Sequence, residues 1–101
     1  MAYEGASLDA NLAAAAGHDE ALVRELRAAF LESAERQVDL LGRARCDGNW
    51  HVAAMRLKGL AASFHADGLL GLAEQAIDGA PGDPAILRRL RQMLDDLAVS
   101  S

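Results

Sequence analysis

Four stretches of this chain repeat apolar residues at steps of three and four, and each is separated from the next by a short turn-forming segment. At 3.6 residues per turn such steps fall on one stripe, so each stretch is an amphipathic helix with a face to bury. The longest begins at Asp19 and carries Leu22, Val23, Leu26, Phe30, Ala34, Leu41 and Ala44, with Arg, Glu and Asp on its other face as far as Arg45. Asp47-Gly48-Asn49 has a turn composition and marks its end. From Asn49 a second stripe runs Trp50, Ala53/Ala54, Leu57, Leu60/Ala61 and Phe64. A third holds Leu69, Leu70, Leu72, Ala73, Ala76 and Ile77, and DGAPGDP breaks it. Asp83 as N-cap and Pro84 at the first helical position open the last stripe, Ile86, Leu87, Leu90, Met93, Leu94 and Leu97.

Ahead of these, Ser7 is a candidate N-cap for a short helix, LDANLAAAA, that Gly17 terminates. The expected helices are therefore 8–16, 19–45, 49–65, 67–78 and 84–98. Alanine and leucine supply most of the apolar content while aromatics make up 4% of the chain, a balance that favours helices over strands. The fold class that follows is all-α: an up-down four-helix bundle with a short additional N-terminal helix, one domain over residues 1–101. Fifteen acids against ten basic residues leave a net charge of −5 and no basic stripe for a phosphate backbone, which speaks against nucleic acid as a partner. No basic leader followed by an apolar run and no membrane-length apolar segment is present, so a cytoplasmic protein is expected. Cys46 is the only cysteine, and no Cys/His spacing of a zinc site occurs.

A bundle hosts many functions, so function must be sought on a surface rather than in the fold. The stretch AAMRLKGLAASFHA, residues 53–66, contains the chain's only lysine, Lys58, followed by Gly59 in mid-helix. A helical glycine costs roughly 1 kcal/mol relative to alanine, which is a reason to ask what this position touches. Met55 lies about 200° around the helix from the core residue Leu57, on the outward face with His51, Lys58, Gly59 and Ala62.

The arrangement Met55-Arg-Leu-Lys-Gly-Leu-Ala-Ala-Ser-Phe-His-Ala resembles the core motif of histidine-containing phosphotransfer (HPt) domains, the shuttle modules of two-component phosphorelays. Those domains carry His-x-Leu-Lys-Gly-x-Ala/Ser, then an apolar residue and Gly-Ala nearly three turns after the histidine. The long helix before it, the Asn49-Trp50 turn and the helix DGLLGLAEQAI also look like the family, over roughly residues 8–97. The resemblance implies a bundle that docks the receiver domain of a response regulator, or a hybrid sensor kinase. Lys58 then sits beside the phosphoryl position, and Gly59 lets the receiver approach closely. It implies no resident cofactor, since Mg²⁺ belongs to the receiver.

Two positions depart from that pattern. Met55 stands where the family has its phosphoacceptor histidine, and a thioether cannot hold a phosphoryl group as an imidazole nitrogen does. His65 stands at a glycine position near the helix end, where a left-handed cap favours glycine. The expectation is a docking module without phosphate capture. Two alternatives stay open: an active phosphotransfer protein that uses His51 or derives from a parent with histidine at position 55, and a structural or dimerising bundle. His51 is one turn before Met55, displaced by about 6 Å along the axis and 40° around it. A His51–Met55 pair supplies two ligands for a soft metal or haem without further support, so no metal site is expected.

Overall fold

The computed structural model describes residues 4–99, with side chains from Leu8 onward. Five helices account for the regular structure: α1 (Glu4–Ala15), α2 (Glu20–Arg43), α3 (Asp47–Ser63), α4 (Asp67–Asp78) and α5 (Pro84–Val99). Residues 1–3, 100 and 101 of the expected single domain lie outside the described residues.

Local chemistry sets most of the helix ends. Asp19 caps α2, its carboxylate accepting from the backbone N–H groups of Ala21 at 3.0 Å and Leu22 at 3.3 Å. Asp83 does the same for α5, accepting from the Ala85 N–H at 2.9 Å, with Pro84 in the first turn where its missing N–H costs nothing. Gly17 closes α1 at a φ of 63°. Two starts differ from the sequence reading. α1 begins at Glu4, so Ser7 lies within the helix rather than at its cap. Asp47-Gly48-Asn49 forms the first turn of α3 instead of a loop, and Cys46 occupies the N-cap position without a side-chain bond. Turn-forming residues are tolerated there because the first N–H groups of a helix have no intrahelical partner to lose, and Asp47 complements the positive end of the helix dipole.

α3 ends in a paired cap. The Ala66 N–H donates to the Ala61 carbonyl at 2.9 Å and the His65 N–H to the Ala62 carbonyl at 3.2 Å, which places His65 in the left-handed region at a φ of 56°. A non-glycine residue there is strained by roughly 1 kcal/mol or more. His65→Gly is therefore expected to raise unfolding stability by about 1 kcal/mol, read as a higher urea midpoint at unchanged slope. A lower midpoint would mean that the imidazole makes contacts that outweigh the strain.

Each of α2, α3, α4 and α5 packs against the next, and α5 returns to α2, closing a ring of four helices; α1 lies across α2 and α5. Among the described residues there are helices and no strands, so the fold is an all-α bundle. The interior collects Phe30, Ala34, Val38 and Leu41 from α2, Trp50, Ala53, Ala54, Leu57 and Ala61 from α3, Leu69, Ala73 and Ala76 from α4, and Ile86, Leu90, Leu94 and Leu97 from α5. Leu8 and Leu12 of α1 complete it. Phe30 and Phe64 pack with ring centroids 4.9 Å apart. The Trp50 indole N–H donates to the Ala76 carbonyl at 2.8 Å and so ties α3 to α4 while its ring fills the core.

The stripe read for α2 needs three corrections. Leu22 is exposed, while its neighbour Val23 packs against the core. Val38 belongs to the core between Ala34 and Leu41. Arg27, which falls in the charged background of the sequence, is buried. Its guanidinium pairs with the Asp9 carboxylate of α1 and donates to the Leu97 carbonyl in the last turn of α5. Three helices thus meet at one side chain.

No helix among the described residues is long and apolar enough to cross a membrane.

Candidate functional site

Helix α3 presents its core stripe inward through Trp50, Ala53, Ala54, Leu57 and Ala61, and this fixes what the opposite side exposes. His51, Met55, Gly59 and Ala62 are exposed and Lys58 is half-buried, so the five residues of the expected partner face do share one side of α3. Met55 is among the few large apolar side chains left open to solvent, at 45% of its full accessibility. Lys58 follows it by three residues and Gly59 by four, the spacing at which helical side chains are neighbours.

Gly59 has no packing reason in the chain itself. A Cβ built there meets nothing within 4 Å, and its φ is that of an ordinary helical residue. Gly71 of α4 shares this freedom, whereas Gly42 of α2 lies under the Arg91 guanidinium, 2.7 Å from where a Cβ would stand. The Ser63 hydroxyl donates to the Gly59 carbonyl at 2.9 Å, a bond back to the preceding turn that competes with the helix's own ladder. Absence of a side chain at Gly59, with Ala62 three residues on, leaves a shallow, small-residue surface between Met55 and the end of α3.

Chemically the patch has one cation at its edge, one imidazole a turn before it, and a thioether at its centre. The thioether sulfur is a weak acceptor and the centre of a flexible apolar group, suited to packing and not to carrying a phosphoryl group. His51 is the nearest imidazole in sequence, one helical turn from Met55. Among the described residues no three His, Cys, Asp or Glu side chains lie close enough together to hold a metal ion.

On the flank toward α2 the structure adds what periodicity does not display. Leu40 and Val52, 43% and 47% exposed, line a groove of about 340 Å³ between α2 and α3 together with Arg43, Ala44, Asn49, Ala53 and Arg56. Lys58, two residues after Arg56 and so about 200° around α3, falls on the other flank. Neither residue stood out in the sequence, since what Val52 and Leu40 face depends on how the two helices are set against each other. Arg88, Arg89 and Arg91 of α5 form no ion pair among the described residues; Arg89 reaches the Gln75 side chain at 3.5 Å.

No family model, curated protein or solved structure matches the chain.

Proposed function

We propose that this bundle is an HPt-like module that docks receiver domains of response regulators through the outward face of α3, without accepting a phosphoryl group at Met55. The observation that carries this reading is Gly59: a helical glycine that costs roughly 1 kcal/mol, has open space around it and follows Lys58 in the Leu-Lys-Gly-x-Ala pattern around Met55. Gly71 has the same open space, so it is the place of Gly59 directly after Lys58 in that pattern that supports close approach of something outside the chain. Lys58 then supplies a cation toward the acidic pocket of a receiver, while Met55 offers an adaptable apolar contact where an acceptor would stand.

On this reading the module sequesters or scaffolds a receiver, and Mg²⁺ and the reactive aspartate stay on the partner. Gly59→Gln tests it. The added side chain costs the bundle nothing in packing and gains helix propensity, so stability stays equal or rises by up to about 1 kcal/mol. Affinity for a receiver domain from the same cell, measured by titration calorimetry, is expected to fall at least about tenfold, or 1.4 kcal/mol. Undiminished binding would remove α3 from the interface. Self-association in place of receiver binding, lost in the same variant, would identify the face as a dimer contact instead.

A further inference from the structure

The groove between α2 and α3 combines basic and apolar side chains. In a chain of net charge −5, its lining contains two arginines, Arg43 and Arg56, and no carboxylate. Two exposed large apolar side chains, Leu40 and Val52, open into the same groove, which Ala44 and Ala53 also line. Arg43 is held by Asp39 on the same helix at 3.1 Å, whereas Arg56 makes no ion pair among the described residues. Two exposed aliphatic groups beside an uncompensated guanidinium form a mixed surface. Water solvates it poorly, and a bare polyanion satisfies only its charged half.

We propose that this groove seats an acidic amphipathic helix from a protein partner. A furrow between two packed helices accepts the ridge of a third. An apolar residue of the incoming helix fits between Leu40 and Val52, and a carboxylate one turn away reaches the Arg56 guanidinium, whose paired N–H donors match a carboxylate's two oxygens. The inference uses neither Met55, Lys58 nor Gly59, so it stands or falls separately from receiver docking.

The probe is a fluorescent helical peptide with leucines on one face and glutamates along its flanks, compared with a twin in which every glutamate is lysine. Anisotropy is expected to show the glutamate peptide binding at least about tenfold tighter than its twin, and amide chemical shifts should move at Leu40, Val52 and Arg56. Arg56→Glu, an exposed change that leaves the fold intact, is expected to reverse the preference. Arg88→Glu on the exposed side of α5 leaves it unchanged. Equal binding of the two peptides, or shifts confined to other helices, overturns the proposal. So does an oligonucleotide that binds the groove as tightly as the glutamate peptide, because charge alone would then explain it.

Discussion

Met55→His is expected to place acid-labile phosphate on the bundle when the protein is mixed with a phosphorylated receiver domain and Mg²⁺, where the parent chain captures none. The site is exposed, so the substitution adds an imidazole without disturbing the core. Lys58 sits three residues on, close enough to share the patch with the new ring and to offset developing negative charge. In the transfer, the P–O bond of the receiver's aspartyl phosphate breaks, its carboxylate leaves, and a P–N bond forms to the imidazole nitrogen that holds the lone pair. Because misplacement of a nucleophile by about 1 Å can cost on the order of a hundredfold, phosphate on the variant at least about a hundredfold above the background set by the parent is the result that supports position 55 as the acceptor-equivalent. Phosphate on the parent that disappears in His51→Ala would instead make His51 the acceptor. An unphosphorylated Met55→His variant that still binds the receiver would separate docking from any relay geometry and sink the acceptor-equivalent assignment.

The second large effect concerns the fold itself. Arg27 is buried, and removing Asp9 would leave its charge without that carboxylate in a poorly solvated place. Asp9→Ala is expected to lower unfolding stability by about 2–3 kcal/mol, less than the ~3–5 kcal/mol of a fully buried pair because the Asp9 side chain is 42% exposed. For a chain of this size that corresponds to a fall in Tm of roughly 10–20 °C. Arg27→Met, which removes the charge and keeps an extended apolar stem, should cost less despite losing the bond to the Leu97 carbonyl. Urea titrations of the two variants check the order. If Asp9→Ala stays within about 0.5 kcal/mol of the parent, the pair is not what holds α1 to α2.

Much of the architecture is legible in the sequence. Asp19, Asp83 and Pro84 act at helix starts as their side chains dictate, and Gly17 adopts the left-handed conformation that ends α1. The helix expected through residue 65 ends at Ser63, and His65 takes the left-handed conformation under strain at a position where only the family resemblance pointed to glycine. The outward placement of His51, Met55, Gly59 and Ala62 follows from the 100° step between helical residues once Trp50, Leu57 and Ala61 are taken as core. Asp47-Gly48-Asn49 misled, because residues that favour turns are equally at home in the first turn of a helix, where N–H groups are free.

What the sequence by itself determined is where most of the helices run and which side of each can be buried, because both depend on residues within a few turns of one another. Only the tertiary structure decided the burial of Arg27, whose partners come from 18 and 70 residues away. It alone also joined Leu40 to Val52 in one groove. A charged side chain is stable inside only when distant groups converge on it, and a groove exists only once two helices have a register; neither condition is written in any local stretch of the chain.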